Sequence, residues 1–299
     1  MPESSATAHS LFIVTGANAG LGFETAKNLA ARSGNNTVIL ACRDVAKGAE
    51  AQRVIATATG NARVRAMQLD LSSLASVREF AATFRAEFSE PIDALICNAG
   101  ISRGPAQTED GIDGVFETNH LGHFLLTSLL LDKVSHEGRV ISVSSDMHQP
   151  PGPKLRWPGA DELATPRSRR VAGGLRYSYS KLCNLYFVYE LSRRLAASGS
   201  GVTVAAFNPG LMTDTNFASI PGPVGAVMKR IFASRVGDLG KSSAALTELA
   251  ADQGDVPIAG LYFDRTAAAP TRSSELSYNV DNARDLWEVS SRLTASSAV

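Results

Sequence analysis

The feature that most constrains the fold of this chain is a glycine-rich turn near its N-terminus. An apolar run, LFIVTG (residues 11–16), leads into ANAGLG and then into a helical pattern that continues to Arg32. A strand, a tight glycine loop and a helix in this order are typical of the first unit of a parallel α/β sheet. Glycine lets the backbone turn sharply and approach a pyrophosphate, and the helix N-terminus offers free N–H groups. The stretch therefore predicts a dinucleotide-binding loop rather than an ordinary structural turn.

Short apolar runs alternate with helical patterns along the rest of the chain. Further strands are predicted over residues 37–40, 64–70, 93–100, 138–145, 201–210 and 258–263, and helices over 21–32, 45–57, 74–88, 114–133 and 177–196. Strands that are apolar almost throughout are buried on both faces, as in a parallel sheet covered by helices. We predict an α/β fold in which residues 1–299 form a single domain, a Rossmann-type doubly wound parallel sheet with helices on both faces, preceded by a flexible N-terminus over residues 1–10.

Two long segments interrupt this alternation. Residues 147–174 are rich in Pro, Gly and Arg, and residues 211–240 mix turn residues with an apolar helical pattern. Both follow the carboxyl end of a predicted strand, which is the edge where open α/β sheets bind ligands. We predict that both are substrate-site loops. Arg167, Arg169 and Arg170 form a basic cluster in the first, which we interpret as solvated charge, with an anionic substrate group as the alternative.

The composition argues against several other classes of protein. Lys plus Arg and Asp plus Glu number 29 each, so no global field favours nucleic acid or an anionic membrane surface. The cysteines Cys42, Cys97 and Cys183 lack the spacing of a disulfide framework or a zinc site. The longest apolar stretch, HLGHFLLTSLLLD, is too short to cross a bilayer. These observations predict a cytoplasmic protein with no transmembrane segment, no nucleic-acid partner and no metal.

The end of the second predicted strand bears on the choice of nicotinamide cofactor. It reads ILACRDVAKG, which places Arg43 where an NAD site usually has a carboxylate for the ribose. A guanidinium there suits a 2′-phosphate, so we predict NADP(H). Asp44 either competes for the ribose or caps the helix that begins near residue 45, and Lys47 adds charge one turn later. A solvated Arg–Asp pair at a helix start is the alternative.

The segment YSYSK (residues 177–181) offers two candidate proton donors. A free phenol has a pKa of about 10, and a nearby cation lowers that pKa by stabilising the phenolate. Tyr177 precedes Lys181 by four residues and Tyr179 precedes it by two. Residues four apart share one face of a helix, whereas residues two apart do not. The spacing selects Tyr177 as the general acid/base.

Together these motifs resemble the short-chain dehydrogenase/reductase family. The motifs TGANAGLG, NAG (98–100), TNHLGHF (118–124), ISVSS (141–145), YSYSK and NPG (208–210) occur in the order found in that family, and the resemblance extends from residue 11 to residue 293. The stretches TNHLGHFLLTSLLLD, SKLCNLYFVYELSRRL and ARDLWEVSSRL resemble the branch that contains retinol dehydrogenases and light-dependent protochlorophyllide reductases. That branch implies NADPH and a largely apolar carbonyl or alkene substrate.

The resemblance also implies particular roles for residues. Tyr177 would act as acid/base, Lys181 would hold the nicotinamide ribose, and Ser145, or its neighbour Ser144, would bind the carbonyl oxygen. Asn119 would hold the helix backbone and a water, and Asp70 would contact the adenine. The cofactor-binding residues implied in this way are Gly16, Asn18, Ala19, Gly20, Leu21, Gly22, Arg43, Asp70, Leu71, Asn98, Ala99, Gly100, Tyr177, Lys181, Pro209 and Gly210.

Two positions depart from the family pattern. Leu211 stands where protochlorophyllide reductases carry a cysteine, although Cys183 matches another cysteine of that group. Asp214 stands where the family usually has a Thr or Ser that contacts the nicotinamide amide, so Thr213 and Thr215 are both open as its replacement. We predict ordinary carbonyl chemistry ahead of light-driven reduction.

The predicted function is NADPH-dependent hydride transfer between nicotinamide and a carbonyl or alcohol of a bulky apolar small molecule. A light-dependent alkene reductase and a non-catalytic NADPH-binding regulator are the alternatives. His120 and His123 lie three residues apart, a spacing that could bind a metal, but without a third ligand we interpret them as packing or solvent-contact residues. Substrate identity, reaction direction, stereochemistry and formation of a homo-oligomer stay open.

Overall fold

The computed structural model of the protein describes residues 9–152, 154–211, 237–252 and 257–295. In these ranges the strands form one parallel sheet in the order β3-β2-β1-β4-β5-β6-β7. Their bounds are β1 (Leu11–Thr15), β2 (Thr37–Cys42), β3 (Val64–Gln68), β4 (Ile92–Cys97), β5 (Val134–Val143), β6 (Thr203–Asn208) and β7 (Leu261–Asp264). Every predicted strand is present, with its ends shifted by a few residues.

Helices cover both faces of this sheet. The described helices are α1 (Gly20–Arg32), α2 (Val45–Thr59), α3 (Leu74–Glu87), α4 (Gly114–Phe116), α5 (Gly122–Leu130), α6 (Ala160–Ala164), α7 (Arg176–Ser198), α8 (Leu239–Ala251) and α9 (Val280–Thr294). One apolar core packs α3, α5, α7 and α9 against the sheet, and a second packs α1, α2 and α8 against its other face. The predicted doubly wound, Rossmann-type fold is confirmed.

The segment predicted as one helix over residues 114–133 is interrupted. A single turn of π-helix, Glu117–Leu121, separates α4 from α5, and a 3-10 turn, Leu131–Lys133, follows α5. A π turn admits one extra residue into the helical hydrogen-bonding pattern and is frequent at functional sites. Asn119 lies in the middle of this π turn, and its side chain accepts a hydrogen bond from the backbone N–H of Ile101, after β4.

One strand differs from the expectation that all strands are buried on both faces. In β3 Arg65 and Gln68 are exposed, whereas the neighbouring β2 is buried throughout. The reason is that β3 is an edge strand with β2 as its partner, and edge strands in natural sheets carry polar and charged side chains.

The two predicted substrate-site loops are described to different extents. Residues 147–174 carry the short helix α6 and are described apart from position 153. Residues 212–236 lie outside the described residues, and so do Thr213, Asp214, Thr215 and the first eight residues of the predicted flexible N-terminus. Across the described ranges, no helix combines the length and the apolar character needed to span a bilayer.

Candidate active site

A cleft of about 370 Å³ opens at the carboxyl ends of β1, β4, β5 and β6. The order of strands along the chain reverses between β1 and β4, and open α/β sheets bind ligands at such a switch point. Of the predicted site residues, Gly20, Gly22 and Asn119 do not line the cleft. The predicted residues that line the cleft are Gly16, Asn18, Ala19, Leu21, Arg43, Asp70, Leu71, Asn98, Ala99, Gly100, Ser145, Tyr177, Lys181, Pro209 and Gly210.

The glycine loop has the geometry of a phosphate-binding turn. Gly16 and Gly20 have φ angles of +65° and +56°, which side chains rarely tolerate. A Cβ atom at Gly22 would lie 2.6 Å from the carbonyl oxygen of Gly16, so the loop packs against α1 only without a side chain there. No side chain caps the N-terminus of α1, and its first turn has no acidic residue. Its free N–H groups and its positive dipole end therefore suit a phosphate.

A series of buried hydrogen bonds connects the end of β1 to the π turn. Thr15 Oγ1 accepts hydrogen bonds from the backbone N–H groups of Asn98 and Ala99, each at 2.9 Å. With both acceptor positions used, its proton goes to His123 Nε2 at 2.9 Å, closer than a backbone carbonyl of β4 at 3.4 Å. His123 Nδ1 then donates to the Asn119 carbonyl at 3.2 Å. Burial lowers the pKa of His123 to about 4, so the ring is neutral at pH 7.

The Asn119 side chain joins three parts of the site. Its Oδ1 accepts from the backbone N–H of Ile101 at 2.8 Å, and its Nδ2 donates to the Ile101 carbonyl at 2.9 Å. The same Nδ2 donates to Ser180 Oγ at 2.9 Å, and Ser180 in turn donates to the Tyr177 carbonyl at 2.8 Å. Asn119 therefore fixes the π turn, the segment after β4 and the first turn of α7 relative to one another. Holding the backbone is one of the two tasks that the resemblance implies for it.

Tyr177 and Lys181 lie on one face of α7, as their spacing predicts. Lys181 Nζ lies 5.7 Å from the centre of the Tyr177 ring and donates to the Val143 carbonyl at 2.9 Å. Asn184 Nδ2 donates to the same carbonyl at 3.1 Å. Burial lowers the pKa of Lys181 to about 8, which places its charge change close to physiological pH.

The pKa of Tyr177 differs from the expectation. We expected Lys181 to lower it, but burial raises the pKa of Tyr177, an effect that a hydrogen bond with Ser145 opposes and the Asp146 carboxylate reinforces. The ammonium donates to a backbone carbonyl and lies over the ring, so its effect on the hydroxyl does not outweigh burial. In the protein alone the phenol is protonated at pH 7 and can donate a proton.

The structure distinguishes the two candidate serines. Ser144 is buried, and its Oγ donates to the Lys181 carbonyl at 2.8 Å, so it anchors α7 to β5. Ser145 is half-buried and hydrogen-bonds Tyr177, and both serines line the cleft. His148 contacts the Ser145 carbonyl through Nδ1 at 2.6 Å and accepts from the Ser274 N–H at Nε2 at 3.0 Å, which fixes Ser145 from the C-terminal side of the chain. The geometry favours Ser145 as the residue that meets a substrate oxygen.

Arg43 and Asp44 have separate environments at the end of β2. Asp44 Oδ1 accepts from the backbone N–H of Lys47 at 3.0 Å and caps α2, and Lys47 Nζ lies 3.4 Å from its other oxygen. These bonds lower the pKa of Asp44 and occupy its carboxylate. Arg43 is exposed at the rim of the cleft and has no ion-pair partner among the described residues. The cap interpretation of Asp44 is confirmed, which leaves Arg43 available to a ligand.

Several supporting residues were not predicted from the sequence. Ser180 and Asn184 lie within one turn of Lys181, so helical spacing could have indicated them. The Thr15–His123 contact joins residues 108 positions apart, and no local pattern signals it. His120 is buried and bonds Ser290 Oγ at 2.8 Å. Among the described residues, no three His, Cys, Asp or Glu side chains converge in a way that could hold a metal ion.

Comparison with known proteins identifies the family to which this site belongs. A family profile described as short chain dehydrogenase matches residues 10–156. Retinol dehydrogenase 13 from Homo sapiens is 41% identical over 295 residues, which cover 94% of this chain and 83% of that protein. Retinol dehydrogenase 12 from Homo sapiens is 37% identical over 289 residues, covering 94% of this chain and 85% of that protein.

A solved structure gives the same result for the fold. The crystal structure of an uncharacterized protein from Mycobacterium Paratuberculosis superposes with a TM-score of 0.72 at 35% identity, covering 95% of this chain and 93% of that chain. The six motifs, the sheet order and these similarities agree. The chain therefore belongs to the short-chain dehydrogenase/reductase family, in a branch similar to the retinol dehydrogenases.

Proposed function

We propose that the protein is an NADPH-dependent oxidoreductase that transfers a hydride between nicotinamide and a carbonyl or alcohol carbon of a bulky apolar substrate. The observation that carries the proposal is the convergence of Ser145, Tyr177 and Lys181 on one wall of the cleft. The glycine loop lines the same cleft at the switch point of the sheet, so a dinucleotide on the loop would extend toward Tyr177. Family membership supports oxidoreductase chemistry at this position.

The cleft fits a phosphorylated dinucleotide. The uncapped N-terminus of α1 and the backbone of the glycine loop suit the pyrophosphate. Arg43 offers a guanidinium fork at the end of β2, and Asp44 is occupied by the α2 cap, so the pair favours a 2′-phosphate over free ribose hydroxyls. Asp70 lies at the same end of the cleft, where it would contact the adenine. We propose NADPH rather than NADH on this basis.

The side chains divide the remaining chemistry between them. When bound, the nicotinamide supplies or accepts the hydride. The protonated Tyr177 hydroxyl donates its proton to the substrate oxygen during carbonyl reduction, and the phenolate that this leaves is the form that accepts the proton during alcohol oxidation. Ser145 holds that oxygen beside the phenol and stabilises its developing charge. Lys181 places a positive charge 5.7 Å from the ring centre, which favours the phenolate at the moment when it forms.

The decisive experiment is an NADPH-oxidation screen over diverse aldehydes and ketones, including retinoid-like aldehydes, run in darkness. Tyr177→Phe should lose at least about 99% of turnover, because it removes the proton donor. Tyr179→Phe is the matched control, since its hydroxyl donates to the Arg156 carbonyl at 2.8 Å, away from the cleft. Tyr179→Phe should keep most of the activity. Full turnover in Tyr177→Phe would overturn the acid/base assignment, and turnover that requires illumination would favour the light-dependent alternative.

We also propose that the protein resides in the cytoplasm. Cys42, Cys97 and Cys183 are all buried and unpaired, as expected for a reducing compartment. Cell fractionation tests this proposal. Recovery of the protein in a sedimented membrane fraction would contradict it.

A further inference from the structure

A second cavity, of about 250 Å³, lies next to the cleft. It is bounded by the segment 102–106, by the start of α4 and by the residues before Tyr177. Ile101 lines the cleft and Ser102 lines the second cavity, while Tyr177 lines the cleft and Arg176 lines the second cavity. On two chain segments, adjacent residues therefore line different spaces, so the cavity and the cleft are neighbours.

The lining of the second cavity is strongly basic. Arg103, Arg167 and Arg176 contribute three positive charges, and Asp113 contributes one negative charge. Arg103 and Arg167 are exposed and form no ion pair with any residue of the described ranges. Arg167 has a φ angle of +54°, a backbone conformation that is costly for a residue with a side chain. Of the basic cluster found in the sequence, Arg167 faces this cavity, whereas Arg170 pairs with Glu162 at 3.2 Å.

Arg176 is the buried member of the set, and its donors are incompletely used. Its Nη1 lies 2.8 Å from Asp113 Oδ2, and the two side chains are only 13% and 5% exposed. Nη1 is therefore paired with Asp113, whereas Nη2 has no hydrogen-bond partner among the described residues, although it is shielded from solvent. The other Asp113 oxygen accepts from the N–H groups of Val115 and Phe116 at 3.1 Å. Unpartnered buried donors are costly, so this guanidinium is short of acceptors.

We propose that the second cavity binds an anionic group, a phosphate or a carboxylate. Such a group would pair with the exposed guanidinium groups of Arg103 and Arg167 and would offset the net positive charge of the lining, to which Arg176 contributes. Planar guanidinium groups match the oxygen geometry of both anions. Arg176 directly precedes Tyr177, and Asp113 caps α4, the helix that leads to Asn119. The anion would therefore lie next to the first turn of α7 and the start of α4, the two segments that position Tyr177 and Asn119.

Calorimetric titration with inorganic phosphate, at constant ionic strength set by chloride and without NADPH, tests the site. Arg103→Gln/Arg167→Gln should weaken phosphate binding by about tenfold or more, because it removes two charged hydrogen-bond donors. Arg169→Gln is the matched control, since it removes a neighbouring charge that does not line the cavity. Arg43→Gln should also retain the binding, which separates this site from the proposed 2′-phosphate contact. Absence of saturable binding, or equal loss in Arg169→Gln, would overturn the proposal.

A kinetic comparison identifies the source of the anion, and this arm alone rests on the proposed function. If the anion is part of the substrate, the double variant should raise KM for an aldehyde that carries a distal carboxylate but not for its methyl ester. If the anion is a free effector, inorganic phosphate should change kcat for both compounds in the wild type and for neither in the double variant. Phosphate binding without either effect would overturn the coupling to Tyr177, and failure of all turnover would count against the proposed function while leaving the binding result intact.

Discussion

The two halves of the cleft are held in different ways. Its cofactor half is formed mainly by backbone, because Gly16 approaches the Cα atom of Ala99 so closely that an added Cβ would lie 3.0 Å from it, and Gly22 packs on the Gly16 carbonyl. The opposite half ends in the side chains of Met147 and Leu211, both only half-buried and both at the start of long segments. Backbone contacts tolerate few residue types, whereas a side-chain wall can be rebuilt without changing the fold.

Because of this difference, we expect the cofactor half to tolerate less change in sequence than the substrate half. A ligand on the cofactor half meets peptide groups whose positions are fixed by glycine geometry and by the Thr15 hydrogen bonds to β4. A ligand on the substrate half meets loops, and loops can change shape and composition while the sheet stays the same. Substitutions on the two sides should therefore have effects of different size and on different kinetic constants.

The largest effect is expected for Gly22→Ala. The added Cβ would lie 2.6 Å from the Gly16 carbonyl oxygen and 2.5 Å from Asn98 Nδ2, so the glycine loop must shift. We expect a loss of about 2 kcal/mol in the free energy of unfolding and about a hundredfold weaker NADPH binding. Gly34→Ala is the control, because its Cβ meets no atom within 4 Å. Denaturant titration measures the free energy of unfolding, and fluorescence titration measures NADPH binding. Unchanged NADPH affinity would contradict the inference that the backbone of the glycine loop forms the cofactor half of the cleft.

Arg43→Gln should have the next largest effect. Loss of a charged contact to a 2′-phosphate is expected to raise KM for NADPH by about 10- to 100-fold, with little change in KM for NADH. Lys47→Gln is the comparison variant, because Lys47 lies one turn further and pairs with Asp44. Steady-state kinetics with both cofactors give the ratio of KM for NADH to KM for NADPH in each variant. Parallel changes for NADPH and NADH would show that Arg43 does not read the phosphate.

A smaller effect is expected from pH. Burial lowers the pKa of Lys181 to about 8, so the ammonium is present below this pH and is lost as the pH rises through it. If its charge favours the phenolate, kcat/KM for carbonyl reduction should fall by about tenfold between pH 7 and pH 9. The pH profile of kcat/KM measures this loss. A flat profile over that interval would argue that Lys181 acts without its charge.

The smallest effect is expected on the substrate half. Met147→Ala removes part of an apolar wall that is only half-buried, so KM for a bulky aldehyde should change by about threefold. KM for NADPH should stay as it is, because Met147 is not among the residues that we propose for the cofactor. Kinetics with one large and one small aldehyde test this, and an equal change in KM for both aldehydes and for NADPH would remove the distinction between the halves.

The sequence predicted those parts of the molecule that local patterns determine. Alternating apolar runs predicted the strands, and the four-residue spacing placed Tyr177 and Lys181 on one face of α7. The cap at Asp44 followed from a side-chain preference within one turn. Each of these depends on residues close together in the chain.

The features that were missed depend on tertiary contacts. The π turn around Asn119 has an ordinary helical sequence, and its contacts with Ile101 and Ser180 appear only when three segments meet. The direction of the Tyr177 pKa was predicted wrongly because spacing reveals a nearby cation but not the burial that opposes it. The helices α8 and α9 were absent from the predicted set, although Asp238 and Asn279 cap their first turns.

The hydroxyl of Thr15 has a consequence for any attempt to redesign this protein. It accepts hydrogen bonds from two backbone N–H groups and donates one to His123. His123 in turn donates to the Asn119 carbonyl, so all donors in the series point from β1 towards the π turn. Serine could replace threonine and preserve that direction. Valine, of nearly the same shape, would leave the Ala99 N–H and His123 Nε2 without these partners, and the Asn98 N–H would keep only the Ile96 carbonyl at 3.0 Å. One hydroxyl oxygen thus sets the donor–acceptor direction of this buried series of hydrogen bonds. Designs that choose residue 15 only by its size and its fit to a strand would lose those hydrogen bonds.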